Sequence, residues 1–134
     1  MDKYEMIVIG SGPAGEKAAI QAAKFRKKVA IVESRGVVGG VCVHTGTLPS
    51  KTLRETVLYL SGIKQRSVYG VVCTLKNDVT VSDLMFRTEQ VIQKELEIIQ
   101  GKLFRNGISV LGGRAKISTP NQMQIESGWY GTVC

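Results

Sequence analysis

Three glycines at fixed spacing offer the first chemistry. Gly10, Gly12 and Gly15 lie in the run GSGPAG, the GxGxxG pattern. Each has a task where a strand turns into a helix: Gly10 allows a tight turn, Gly12 lets the main chain approach a pyrophosphate, and Gly15 lets the helix pack closely. The helix start adds amide donors and a positive dipole end for the phosphates. Fifteen glycines in 134 residues make the pattern weak by itself, and context decides. Eighteen residues after Gly15 stands Glu33. A carboxylate there accepts hydrogen bonds from a ribose diol and repels a 2′-phosphate, which favours FAD or NAD over NADP.

A second group of reactive types lies in GGVCVHTGTLPSK, residues 39–51. Cys42 is a thiol, His44 the sole histidine and Lys51 a cation. Cys73 and Cys134 stand far from Cys42, so neither a disulfide framework nor a CxxC metal site is expected, and no metal is assigned. Cys42 has two readings, a polarizable side chain beside a cofactor or a buried residue with no chemical role. His44 reads as a loop residue rather than a base.

These groups require elements that position them. Tyr4–Ile9 is a short apolar run ending in glycine, as a buried parallel strand would. Pro13 suits the first turn of a helix, and Ala14, Ala18, Ala19, Ala22 and Ala23 follow with helical spacing. Val29–Val32 is a second strand, which completes a βαβ unit with an expected right-handed crossover. Pro49–Leu60 is read as a helix with Leu53, Val57 and Leu60 on one face. No structure is assigned to 61–81. Ser82 is taken as the N-cap of a long helix whose stripe of Leu84, Val91, Leu96, Ile99 and Leu103 ends at Asn106-Gly107. Ile108–Leu111, Ala115–Ile117 and Met123–Ile125 read as short strands.

Bulk properties set limits. Apolar residues are 43% and charged residues 22% of the chain, ordinary for a globular protein. The 18 Lys+Arg against 11 Asp+Glu give +7, and much of the excess is local, at Lys24, Arg26, Lys27 and Lys28. A nucleic-acid site would need a wider basic face and a recognisable module, so no nucleic-acid partner is expected. No apolar run reaches the roughly eighteen residues of a membrane span, and no cleavable signal is visible. No membrane is expected as a partner, and the expected location is the cytoplasm.

The segment 39–51, behind an N-terminal GxGxxG, resembles the FAD-dependent pyridine nucleotide-disulfide oxidoreductases. In that family GGxCxxxGCxPSK carries two cysteines five positions apart that form a redox disulfide beside the flavin. Here Cys42 is present and Thr47 stands in the second place, and a lone thiol cannot cycle between dithiol and disulfide. This departure, together with CVHTGTLPSKTLRE and FRTEQVIQKELEIIQGKLFRNGISVLGGRAKI, is similar to the soluble FAD-containing pyridine nucleotide transhydrogenase branch. The resemblance runs from Tyr4 to Ile125.

The resemblance implies an α/β, Rossmann-like FAD-binding domain with a helical insertion and a small antiparallel β-element, incomplete in this chain. Residues 1–126 would form its N-terminal part, 127–134 an unassigned tail, and the NAD(P) and dimerisation domains would be absent. The implied activity is hydride transfer between NADPH and NAD through FAD, in a full-length homo-oligomer, with this chain alone inactive. The implied cofactor contacts are Gly10, Ser11, Gly12, Pro13, Ala14, Gly15, Glu33, Ser34, Arg35, Gly39, Gly40, Val41, Cys42, Gly46, Lys51, Gly113, Arg114 and Ala115. Lys51, Cys42 and Thr47 would be nearest the flavin, and the backbone of Ala115 would meet the adenine. A non-catalytic dinucleotide-binding module and a disulfide-reductase relative lacking its second redox cysteine are the alternatives. The chain is read as a fragment or a truncated product.

Overall fold

A computed structural model describes residues 2–66, 70 and 79–126. The element order is β1 (Met6–Ile9), α1 (Pro13–Lys24), β2 (Val29–Glu33), α2 (Gly40–His44), α3 (Thr47–Arg66), α4 (Val81–Arg105), β3 (Ser109–Gly112), β4 (Arg114–Thr119) and β5 (Gln122–Glu126). Strands β1, β2 and β3 form a parallel sheet in that order, and β4 and β5 form an antiparallel hairpin. This is the expected α/β architecture.

The central strand VAIVE is buried along its whole length, as a parallel strand paired on both sides should be. Stepping β1 to β2 to β3 in one direction with right-handed crossovers puts both crossover helices on one face. Ala19 of α1 and Leu96, Ile99 and Leu103 of α4 accordingly share one core with Val29 and Ile31 of β2. The opposite face is less covered. Ala30 and Val32 are buried there, but their partners on β1, Ile7 and Ile9, are 38% and 58% exposed.

Two expectations about helix starts need correction. Helix α4 is capped by Thr80, not Ser82. The Asp83 amide donates to Thr80 Oγ1 at 3.2 Å, and the Thr80 amide donates to Asp83 Oδ2 at 2.8 Å. This reciprocal box satisfies two otherwise orphan donors at once, an arrangement Ser82, already inside the first turn, cannot make. Helix α3 starts at Thr47, two residues before Pro49, because proline's missing N–H is harmless anywhere in a first turn. Its inward line also differs: Val57 is 47% exposed, whereas Thr52 is 6% exposed. Thr52 Oγ1 donates to the Leu48 carbonyl at 2.9 Å, which removes the cost of burying a hydroxyl. The end of α4 is as expected, with Asn106 as C-cap and Gly107 at φ 66°.

Candidate functional site

The parallel register brings the C-terminal ends of the three strands level. Ile9 pairs with Val32, and Glu33 pairs with Gly112. Ligands of open parallel sheets bind beyond this edge.

The turn leaving β1 is built for close approach. Gly10 has φ 91°, where side chains are disfavoured, and its amide donates to the Val32 carbonyl at 2.8 Å. A Cβ on Gly15 would lie 2.1 Å from the Gly10 carbonyl oxygen and 3.2 Å from Val8 Cγ1, so only glycine lets α1 sit this close to β1. Gly12 is different: its φ of −64° is ordinary, and a Cβ there would meet nothing within 4 Å. Gly12 is the N-cap of α1 without any side-chain cap hydrogen bond, and Pro13 opens the helix. The amides of Ala14 and Gly15, in the first turn after Gly12, have no intrahelical acceptor and lie at the positive end of the helix dipole. Such a terminus can hold a phosphate.

Glu33 ends β2 and is 6% exposed. Its Oε2 accepts from the Ser11 amide at 2.9 Å and from Ser11 Oγ, and its Oε1 accepts from the Arg35 amide at 3.0 Å. Burial pushes the carboxyl up, but the Ser11 hydroxyl, the Arg35 and Ser11 amides and the Arg35 charge outweigh it and hold the group below the ordinary carboxylate range. The site therefore carries an ionised acceptor at neutral pH. The Gly113 amide donates to the Glu33 carbonyl at 3.0 Å, and a Cβ on Gly113 would fall 2.5 Å from Ile125 Cγ2. Ala115 pairs with Ile125 in the hairpin. Ser34, Arg35 and Arg114 are exposed.

The glycine-rich segment after β2 closes against the turn. The Gly39 amide donates to the Ser11 carbonyl at 3.2 Å, and a Cβ on Gly40 would lie 2.9 Å from Gly12 Cα. Helix α2 then carries Val41, 58% exposed, and Cys42, a half-buried free thiol. His44, expected in a loop, is instead the last residue of α2, and its Nε2 donates to the Val38 carbonyl at 2.8 Å, a brace across the turn before the helix. A Cβ on Gly46 would lie 2.9 Å from the Val41 carbonyl oxygen. Thr47 and Lys51 are exposed at the start of α3. Cys73 and Cys134 lie outside the described residues.

Gly10–Gly15, Glu33, Arg35, Gly39, Gly40 and Gly113 are thus joined by direct contacts. Cys42, Thr47 and Lys51 follow on the next two helices. Two features escape motif reasoning. Ser11 is an "x" of its motif, yet it is buried and fully bonded. Glu16, 6% exposed behind the turn, pairs with Lys102 of α4 at 3.4 Å, a contact between residues 86 positions apart that no local pattern announces.

A parallel βαβ unit with a glycine turn, an uncapped helix start and an ionised acidic residue ending the second strand defines a fold of the dinucleotide-binding class. Residues 4–128 match the family model described as pyridine nucleotide-disulphide oxidoreductase, and the chain belongs to that family. A soluble pyridine nucleotide transhydrogenase of Mycobacterium bovis (strain BCG / Pasteur 1173P2) is 48% identical over 126 residues, 94% of this chain and 27% of that protein. One from Hahella chejuensis is 34% identical over 129 residues, 96% of this chain and 28% of that protein. The chain thus spans about a quarter of the length of these relatives. Among solved structures, the Cu(II) complex of HOCl-induced flavoprotein disulfide reductase RclA from Escherichia coli superposes with TM-score 0.70 at 23% identity, over 94% of this chain and 25% of that one. That likeness supports the fold. No helix among the described residues is long and apolar enough to cross a membrane.

Proposed function

We propose that this chain is the FAD-binding segment of a flavoprotein that moves a hydride between NADPH and NAD. The observation that carries this reading is the convergence of the Gly10–Gly15 turn and the ionised Glu33 at the strand ends, in a sequence 48% identical to a soluble transhydrogenase. The residues fit the cofactor. The space beside Gly12, which any side chain would enter, suits a pyrophosphate held by the Ala14 and Gly15 amides, with Gly10, Ser11 and Pro13 shaping the turn. Glu33 takes the adenosine ribose, flanked by Ser34 and Arg35. Gly113, Arg114 and Ala115 border the adenine, with the Ala115 backbone as its contact. Gly39, Gly40, Val41, Cys42 and Gly46 lead from the phosphates toward the flavin, and Lys51 supplies a cation there.

FAD, when bound, supplies the hydride acceptor and donor. The chain's own residues bind and orient it, and with Thr47 in place of a second cysteine the segment 39–51 offers no dithiol to relay electrons. In this reading residues 1–126 are the N-terminal part of the FAD domain, the nicotinamide site and dimer-forming region belong to chain outside these residues, and the full-length protein is a homo-oligomer. The test is NADPH-dependent reduction of an NAD analogue by purified full-length protein. Yellow protein with turnover is expected; nucleotide binding without turnover would overturn the transhydrogenase reading and leave a binding module.

A further inference from the structure

The GxGxxG pattern asks nothing of the side chain at position 11, since its glycines and amides handle the phosphates. Ser11 is nevertheless 1% exposed, and both its hydroxyl and its backbone are engaged by two other segments. Its Oγ and its amide both donate to Glu33 Oε2, and the Gly39 amide donates to Ser11 Oγ and to the Ser11 carbonyl, at 3.2 Å each. One small residue thereby locks the phosphate turn, the end of β2 and the turn before α2 together.

The consequence for Glu33 follows from counting lone pairs. A carboxylate has about four acceptor positions. Ser11 fills both on Oε2, and the Arg35 amide takes one on Oε1. The remaining position is on Oε1, and the two bonds from Ser11 fix the carboxylate plane that aims it. Without the hydroxyl, Oε2 would regain an open position and the carboxylate could rotate.

We propose that Ser11 is a positioning residue for ribose recognition, orienting the Glu33 carboxylate so that Oε1 accepts from the adenosine ribose 2′-hydroxyl of the cofactor. This rests on the reading of Glu33 as the ribose acceptor. The role is separate from phosphate binding, because Ser11 acts on Glu33, whereas the phosphates are assigned to the Ala14 and Gly15 amides.

The experiment is FAD titration of the full-length apoprotein, with FAD and with FAD lacking the adenosine 2′-hydroxyl. Ser11→Ala should weaken FAD binding about tenfold, the scale of one hydrogen bond to a charged group. With the deoxy cofactor, wild type and Ser11→Ala should agree within about twofold, because the oriented oxygen has lost its partner. Ser11→Ala combined with Glu33→Gln should bind no more weakly than Glu33→Gln alone. Ser11→Cys, nearly the same shape with a weak donor, should show the same cofactor dependence if the alanine variant does not fold. Unchanged FAD affinity in Ser11→Ala, or an equal loss with both cofactors, would overturn the proposal while leaving Glu33's role intact. Wild-type affinity in Glu33→Gln would instead overturn the underlying ribose assignment.

Discussion

Gly12 and Gly15 sit three residues apart in one motif, yet alanine should damage them in opposite ways. At Gly12 the backbone is already in a conformation open to any residue, φ −64° and ψ 175°, and the added Cβ meets nothing within 4 Å. Folding should be unaffected or improved by about 0.4–1 kcal/mol, because the unfolded chain loses freedom. The new methyl would, however, occupy the space assigned to the pyrophosphate. Displacing the phosphates from two amide donors, at roughly 1.5–3 kcal/mol for each bond to a charged group, weakens FAD binding by about two to four orders of magnitude. At Gly15 the Cβ would overlap the Gly10 carbonyl oxygen at 2.1 Å, backbone that cannot swing aside, so α1 must retreat from β1 at a cost of about 3 kcal/mol or more. Denaturation midpoints of the two apoproteins, measured beside FAD titrations, separate the cases. A folded Gly12→Ala protein with wild-type FAD affinity would refute the phosphate assignment, and a Gly15→Ala protein of wild-type stability would refute the packing account.

Other outcomes follow from the same contacts. The Glu33 carboxyl is held below its ordinary value in the fold, so its stabilisation is present above the unfolded carboxylate pKa of about 4.3 and is lost as pH falls through the depressed folded value. Urea midpoints of the wild type should drop more steeply from about pH 5 to 3 than those of Glu33→Gln, and parallel profiles would contradict this. Lys102→Met leaves the buried Glu16 without its ion-pair partner and should lower stability by about 1–3 kcal/mol, measured by denaturation; no change would mean that the pair is solvated. Cys42→Ser should retain substantial NADPH-to-NAD turnover with full flavin content, and abolished turnover would give the thiol a chemical role.

The elements most legible in the sequence are those whose side-chain period is long and unbroken. The apolar run of β2 and the alanine spacing of α1 need no tertiary information, and Glu33 stands out because it follows Gly15 by eighteen residues, where the dinucleotide-binding pattern places an acidic residue. Helix α2 could not be read, since five residues in a glycine-rich run show no period. Thr80 is not marked by the apolar stripe, because its capping role rests on a reciprocal bond to Asp83 and not on nearness to the first apolar residue. Apolarity points Val57 inward, whereas α3 turns Thr52 inward and satisfies its hydroxyl within the helix. Ser11 left no signal, because its bonds reach Glu33 and Gly39, 22 and 28 residues away, through a fold that the motif implies but does not detail.

In the proposed function the strand-end site holds an FAD that exchanges hydride with nicotinamide nucleotides without a protein disulfide. Anaerobic NADPH titration of the purified full-length flavoprotein, followed by its visible spectrum, tests it most directly. The flavin should bleach fully with two electrons per FAD and be reoxidised by added NAD. Purification without flavin, or uptake of four electrons per FAD, would contradict it.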